Sequence, residues 1–199
     1  MSYAIIGFGT IGKALAKAFA RKGIEVSVAT TRDPKSFAAD AAAIGPTIIP
    51  ATLAETVKAD VIFLAVRFEA HPNVAKALPS WQGKTIIDVT NAYGVPPEKL
   101  GGQPSSKFVA QAFTGAKLVK GFNHLLAAVL DQDPAEHGGK RVVFLASDDG
   151  GAAEDIAALA EKLGFAPIKL GGLSEGGLLA QARGNSWGRL IFQHLVKFD

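Results

Sequence analysis

The stretch at residues 3–12, YAIIGFGTIG, combines a short apolar run with glycines at positions 7, 9 and 12. The following stretch, residues 13–20 (KALAKAFA), has apolar residues at helical spacing. A strand that runs through G-x-G-x-x-G into a helix is typical of a dinucleotide-binding turn. The first glycine allows a sharp turn, the second lets the backbone approach a pyrophosphate, and the third lets helix and strand pack closely. The N–H groups at the helix N-terminus then bind the anion.

The same stretch also matches G-x-x-x-x-G-K, the phosphate-binding loop of nucleoside triphosphatases, because Lys13 follows Gly12. That loop requires a serine or threonine after the lysine to hold Mg²⁺. Ala14 stands there instead, which argues against an ATPase. The residues expected to contact a dinucleotide are therefore Gly7, Gly9, Thr10, Ile11 and Gly12.

The end of the second predicted strand indicates which dinucleotide binds. NAD sites usually carry an acidic residue here for the ribose hydroxyls, whereas a 2′-phosphate requires hydroxyls and a cation. This chain has Thr30, Thr31 and Arg32, and arginine matches phosphate geometry and stacks on flat rings. The nearby acid, Asp33, precedes a proline and is expected to cap the next helix. NADP(H) is therefore favoured, with a solvated loop arginine as the alternative interpretation of Arg32.

Composition narrows the class of protein. The chain has 199 residues and a formal net charge of +3, and its lysines and arginines are spread without a basic block or a nucleic-acid recognition motif. A mild positive charge suits an anionic cofactor, and no nucleic-acid partner is expected. The chain has no cysteine, and its four histidines are scattered, so no metal site is expected. No apolar run approaches the roughly 18 residues of a membrane span, and no signal-like segment is found, which predicts a cytoplasmic protein without a membrane partner.

Strands and helices alternate along the chain without a linker. After the first two strands, further strands are predicted at residues 47–50, 60–66, 85–89, 118–122, 141–146 and 166–170. Helices are predicted from residue 34 and at residues 51–58, 70–78, 106–114 and 152–163. This order predicts an α/β fold with a doubly wound, mostly parallel Rossmann sheet. Residues 1–170 would form the NADP-binding domain.

Residues 171–199 are expected to form a short helical tail. The tail is too short to be the large helical domain that many dehydrogenases use to bind substrate. A substrate would therefore bind at the carboxyl ends of the strands, covered by the tail. The tail also carries more apolar side chains than one helical layer is expected to hide, which predicts a homodimer.

Six short motifs together resemble one known family. They are GFGTIG at 7–12, TTR at 30–32, FLAV at 63–66, IIDVTN at 86–91, KGFNH at 120–124 and LGGL at 170–173. The chain resembles, over nearly its whole length, the NADP oxidoreductases that depend on coenzyme F420, a deazaflavin, and the related reductase domain of membrane ferric reductases. The resemblance implies hydride transfer between NADPH and a flavin-like ring. It also implies that Thr10 and Ile11 lie at the phosphates, Thr31 and Arg32 at the 2′-phosphate, and Asn123 and His124 beside the nicotinamide.

Transfer of a hydride between two stacked rings depends on alignment more than on a strong acid or base. Asn123 and His124 are the predicted catalytic residues, with His124 either donating a proton or serving a structural role next to an apolar run. Arg67, at the end of a central strand, would hold an anionic acceptor or the pyrophosphate, or else form a surface salt bridge. Val66 and Asn91, at neighbouring strand ends, are also expected to contact the cofactor.

The sequence thus predicts an NADPH-dependent oxidoreductase with a flavin-like or deazaflavin acceptor. A non-catalytic NADP(H)-sensing or scaffold protein is the first alternative. An NADPH-dependent ferric or free-flavin reductase is the second.

Overall fold

A computed structural model of the protein describes residues 1–136 and 138–182. The strands are β1 (Tyr3–Ile6), β2 (Val26–Ala29), β3 (Ile48–Pro50), β4 (Val61–Leu64), β5 (Thr85–Asp88), β6 (Lys117–Gly121), β7 (Ala135–Glu136), β8 (Gly139–Lys140), β9 (Val142–Ala146) and β10 (Ala166–Lys169). The α-helices are α1 (Thr10–Arg21), α2 (Ala38–Ile44), α3 (Leu53–Thr56), α4 (His71–Ala75), α5 (Ser105–Ala112), α6 (Ala127–Leu130), α7 (Gly150–Lys162) and α8 (Gly176–Ala180). Short 3-10 helices occupy Pro34–Phe37, Phe68–Ala70 and Pro97–Leu100.

Eight strands form one sheet in the order β10-β9-β6-β5-β4-β1-β2-β3. Its neighbouring strands are parallel except β6 and β9, which pair antiparallel, while β7 and β8 form a separate hairpin. The order reverses between β4 and β1, because β1 pairs with β2 on one side and with β4 on the other. This is the doubly wound arrangement predicted from the sequence, and each predicted strand is present within two residues of its expected bounds.

Side chains alternate between the two faces of the sheet, and helices cover both faces. Ile5 points to the face covered by α1 and α7, where it joins a core that includes Phe19 and Ile156. The next residue, Ile6, points to the opposite face and joins the core that includes Val109 of α5. Burial on both faces explains why the central strands are apolar throughout.

Helix starts follow local signals in the sequence. The Asp33 carboxylate accepts a hydrogen bond from the Lys35 N–H at 2.8 Å, which confirms its predicted role at the start of the next helix. Pro72 lies in the first turn of α4, where its missing N–H does no harm. Thr52 and Glu55 form a capping box at the start of α3.

The predicted tail is described only in part. Its first segment contains the short helix α8, which packs close to β9. Residues 183–199, which carry most of the apolar side chains expected in a dimer interface, lie outside the described residues. The division at residue 170 stays a prediction. Among the described residues, no helix is long and apolar enough to span a membrane.

Candidate cofactor-binding site

The turn after β1 needs glycine at its first position. Gly7 has φ +107°, a left-handed conformation that other residues rarely adopt. A Cβ atom there would lie 2.3 Å from the carbonyl oxygen of Ala65, so the space is filled as well. The Gly7 N–H donates to the Ala29 carbonyl at 2.8 Å, which fixes the turn beside the end of β2.

The other two glycines of the motif differ from each other. A Cβ atom on Gly12 would lie 1.8 Å from the Gly7 carbonyl oxygen, so this glycine allows α1 to pack against the turn. A Cβ atom on Gly9 would meet no atom within 4 Å, and Gly9 is exposed. The fold therefore requires Gly7 and Gly12, whereas it leaves open space at Gly9. This is the division of roles expected for a dinucleotide-binding turn.

An open cleft of about 710 Å³ lies at the carboxyl ends of β1, β4 and β5, where the strand order reverses. Ligands of doubly wound proteins bind at this place. Gly9 is the N-cap of α1 and makes no side-chain capping bond, so the first turn presents backbone N–H groups on this side. The lining residues are Gly9, Thr10, Ile11, Ala65, Val66, Arg67, Phe68, Glu69, Val89, Thr90, Asn91, Tyr93 and Gly94.

Arg32 lies beyond the end of β2 and is not among the residues that line the cleft. Its side chain is exposed, and its guanidinium carbon lies 5.7 Å from the centre of the buried Phe37 ring. The Arg32 N–H donates to the Thr30 hydroxyl at 2.9 Å, which shapes the loop. Thr31 is exposed beside them. The structure thus brings the three residues predicted for the 2′-phosphate together at one strand end.

Lys13, which suggested a phosphate-binding loop, is engaged elsewhere. Its Nζ lies 2.7 Å from a carboxylate oxygen of Asp40 and 5.6 Å from the centre of the Phe8 ring. The hydrogen bond from Lys13 lowers the pKa of the Asp40 carboxyl below its ordinary value. This ion pair agrees with the rejection of the ATPase interpretation.

Arg67 and Val66 line the cleft, while their contact with a ligand stays a prediction. The Arg67 side chain is exposed, and no carboxylate in the described part of the chain lies within 4.0 Å of its guanidinium. The salt-bridge alternative therefore has no support in residues 1–136 and 138–182. Arg67 supplies a positive charge to the cleft, and the Glu69 carboxylate lies against Gly94 on the facing loop.

Asn91 and Asn123 form a reciprocal amide pair. The Asn91 amide donates to the Asn123 carbonyl oxygen at 2.7 Å, and the Asn123 amide donates to Asn91 Oδ1 at 3.0 Å. The Asn123 amide also donates to the carbonyl oxygen of Ala180, at the end of α8, at 2.8 Å. Asn123 is buried, and its Oδ1 has no hydrogen-bond partner in the described structure. The pair links the cleft wall to the first helix of the tail.

A buried ion pair beneath this wall was missed by the sequence analysis. Asp88 at the end of β5 and Lys120 on β6 are both fully buried, and Lys120 Nζ lies 3.1 Å from Asp88 Oδ2. Burial lowers the pKa of Lys120, while the Asp88 carboxylate beside it acts in the opposite direction. The available signal was one acid and one lysine, each inside an apolar strand of a sheet predicted to be buried.

The structure does not place His124 among the residues that line the cleft. Its ring packs on Phe144 of β9 with 4.8 Å between ring centres, and its Nε2 lies 3.4 Å from the Val142 carbonyl oxygen. Burial lowers the pKa of His124 to about 4, so the ring is neutral at physiological pH. This position favours the structural alternative, and a catalytic role for His124 stays a prediction.

The fold and this cleft define a dinucleotide-binding protein of the Rossmann type. Residues 2–92 match the family described as NADP oxidoreductase, coenzyme F420-dependent. The solved structure of a hypothetical protein from Sinorhizobium meliloti is 36% identical with a TM-score of 0.89, over all of this chain and 96% of that one. A structure of a proposed F420-dependent NADP reductase from Arthrobacter sp. FB24 is 28% identical with a TM-score of 0.69, over 87% of this chain and 86% of that one.

Metalloreductase STEAP3 of Rattus norvegicus is 29% identical over 175 residues, which are 85% of this chain and 34% of the relative. The chain thus spans about a third of the length of the curated relatives that it matches. Over residues 2–92 the chain is thus similar to the coenzyme F420-dependent NADP oxidoreductase family, as the motifs in its sequence indicated. The family that these residues match consists of NADP oxidoreductases.

Proposed function

We propose that this protein transfers a hydride between NADP(H) and a flat flavin-like or deazaflavin ring that binds in the cleft. The observation that carries the proposal is the open space at Gly9 between two glycines that the fold itself requires. A turn of this kind leaves backbone N–H groups of α1 accessible to a pyrophosphate. The family match over residues 2–92 supports the same cofactor.

Each part of the site would bind one part of the cofactor. Gly9, Thr10 and Ile11 would hold the pyrophosphate at the start of α1, where the helix dipole also favours an anion. The exposed Arg32 guanidinium beside Thr30 and Thr31 would bind the 2′-phosphate. When bound, the cofactor supplies the hydride.

The remaining surface of the cleft suits a flat acceptor. Ala65, Val66 and Val89 give it apolar walls, and the half-exposed Tyr93 ring adds an aromatic surface at the rim. Arg67 would hold an anionic substituent of the acceptor or of the cofactor. These residues would align two rings, which supplies much of the rate when neither ring requires a strong acid or base.

Asn123 would act at the nicotinamide end of the site. Its Oδ1 is buried and has no partner in the described part of the chain, whereas its amide group is fully engaged. Asn123 is not itself among the residues that line the cleft, so it would act there through Asn91. Asn91, which lines the cleft, holds the Asn123 side chain in place.

A second candidate is the reduction of ferric chelates or free flavins. It is favoured by the similarity to STEAP3, which is named as a metalloreductase and matches most of this chain. The cleft is open on one side, so a large acceptor can approach it. Both candidates share the NADPH site and differ only in the acceptor.

Oxidation of NADPH over a panel of acceptors tests the proposal. The panel contains F420, FMN, FAD, a ferric chelate, and small aldehydes, ketones and imines, with the Gly9→Ala variant as a control for cofactor binding. We expect turnover with the flavin-like rings and poor turnover with the carbonyl compounds, because carbonyl reduction requires a proton donor. NADPH that binds tightly but is oxidised by no acceptor would support the sensing or scaffold alternative instead.

A further inference from the structure

A salt bridge is buried in the centre of the sheet, where apolar residues are the rule. Asp88 and Lys120 are partners in the register of β5 and β6, and neither side chain has exposed surface. Removing two charges from water costs about as much as their attraction returns, so an apolar pair of similar volume is often equally stable. The stability of the fold alone therefore does not explain why Asp88 and Lys120 occupy these buried positions.

The polar atoms of the pair converge on Thr90. Asp88 Oδ1 accepts hydrogen bonds from the Thr90 N–H at 2.9 Å and from the Thr90 hydroxyl at 2.7 Å. Lys120 Nζ donates to the Thr90 carbonyl oxygen. The pair thus binds the N–H group, the carbonyl group and the side chain of a single residue, which fixes both its backbone and its rotamer.

Thr90 is part of the cleft wall, together with Val89 and Asn91. Arg32, assigned to the 2′-phosphate, lies beyond β2 on one side of β1. The other half of the dinucleotide would then extend over the ends of β4 and β5, on the opposite side of β1. Thr90 and Asn91 follow β5 after Val89, so they lie where this half would bind.

We propose that Asp88 and Lys120 are positioning residues, which hold Thr90 and Asn91 in the conformation that binds the nicotinamide half of the cofactor. This inference rests on the proposed binding of NADP(H) in the cleft. A salt bridge gives the wall a fixed geometry that apolar packing below it would not specify, because only polar atoms engage both backbone groups of Thr90.

Two double variants remove both charges, one together with all of the hydrogen bonds to Thr90 and the other with only the hydrogen bond from Lys120. Asp88→Leu with Lys120→Met replaces the pair by apolar side chains and removes its bonds to Thr90. Asp88→Asn with Lys120→Met removes both charges but keeps an oxygen that can accept from the Thr90 N–H and hydroxyl. The control, Glu154→Gln with Lys169→Met, removes an exposed ion pair of the same charges between α7 and β10.

The readout compares NADPH with adenosine 2′,5′-bisphosphate, which carries the 2′-phosphate but lacks the nicotinamide half. We expect the Leu–Met variant to bind the bisphosphate as the unmodified protein does, while its NADPH affinity falls roughly tenfold and its hydride-transfer rate falls by up to about 100-fold. The Asn–Met variant should show smaller losses of NADPH affinity and of rate, and the exposed-pair control should keep both at the level of the unmodified protein. A folded Leu–Met variant with the NADPH affinity and rate of the unmodified protein would overturn the proposal.

If the Leu–Met variant does not fold, the Asn–Met variant decides the question. A loss of at least about threefold in NADPH affinity with unchanged bisphosphate affinity supports the positioning role, and unchanged affinity for both ligands overturns it. Binding of NADPH and of the bisphosphate to the unmodified protein distinguishes failure of the proposed function from failure of the positioning role. If it binds neither ligand, the proposed function fails; if it binds both equally well, the nicotinamide half makes no net contribution and the positioning role alone fails.

Discussion

The backbone of Gly12 lies against the carbonyl oxygen of Gly7, so closely that a Cβ atom on Gly12 would be 1.8 Å from that oxygen. Gly9, between them, would carry a Cβ atom into open space. We therefore expect Gly9→Ala to fold normally and to lose at least about tenfold in NADPH affinity, because its methyl group occupies the place of the pyrophosphate. Calorimetry measures the affinity.

Gly12→Ala is the matched control, in which we expect a loss of folding stability. Its methyl group has no space, and we expect the free energy of unfolding to fall by about 3 kcal/mol, at the upper end of the usual cost of overpacking. Urea unfolding measures this change. A Gly9→Ala variant with normal NADPH affinity would show that the dinucleotide binds elsewhere.

Arg32 is expected to select NADPH over NADH. Arg32→Ala should weaken NADPH binding by about 1.5–3 kcal/mol, the usual contribution of a hydrogen bond to a charged group, and should barely change NADH binding. Lys35→Ala is the control, because Lys35 is a neighbouring exposed lysine that is not among the residues proposed to bind the 2′-phosphate. Equal affinity of the unmodified protein for the two cofactors, measured by calorimetry, would refute the assignment of the 2′-phosphate.

His124 is expected to make the fold acid-sensitive. Burial lowers its pKa to about 4, whereas the pKa of an unfolded histidine is about 6.5. At pH values between about 4 and 6.5 the unfolded chain binds more protons than the folded chain. The contribution of neutral His124 to the free energy of unfolding is therefore fully present above about pH 6.5 and is lost as the pH falls towards 4. At pH 5 the loss attributable to this side chain is about 2 kcal/mol.

Urea unfolding at pH 7 and pH 5 isolates this contribution. The unmodified protein should lose about 2 kcal/mol more than His124→Gln between the two pH values. If both proteins lose the same free energy of unfolding, His124 is not the group that titrates.

The apolar side chains of the tail predict that the protein forms a homodimer. Residues 183–199 contain Trp187, Leu190, Ile191, Phe192, Leu195, Val196 and Phe198, and lie outside the described residues. We expect a symmetric dimer that buries these side chains. Light scattering at micromolar concentration should report twice the 20.7 kDa mass of the chain, and a monomer would contradict the prediction.

The fold could be predicted because its local signals agree. Apolar strands alternate with helices, and the glycine motif defines the turn between the first strand and the first helix. The antiparallel pairing of β6 with β9 could not be predicted, because a buried strand has the same apolar pattern in either direction. The small β7–β8 hairpin is too short to leave a periodic pattern.

The positions of the candidate site residues could be predicted where they follow strand ends, and less well where they depend on packing. Gly9, Val66, Arg67 and Asn91 follow strands, and strand ends meet at one edge of a parallel sheet. His124 also follows a strand end, but its ring packs on Phe144 of β9, a contact that depends on the antiparallel neighbour. The contacts of Asp88 and Lys120 depend on strand register, which the sequence does not reveal.

Hydride transfer from NADPH to a flavin-like ring can be followed directly with a deuterium label. NADPH deuterated at C4 of the nicotinamide is mixed in a single turnover with F420, with FMN and with a carbonyl substrate. Deuterium is measured at the carbon of the reduced deazaflavin and of the reduced carbonyl compound; for FMN, whose reduced N5 exchanges deuterium with water, the primary isotope effect on the reduction rate is measured instead. We predict that deuterium passes to a flavin-like ring, and that His124→Ala slows this transfer by no more than about tenfold, or about 1.4 kcal/mol. Efficient transfer to the carbonyl compound that is abolished in His124→Ala would contradict the account and identify a dehydrogenase with histidine as its general acid.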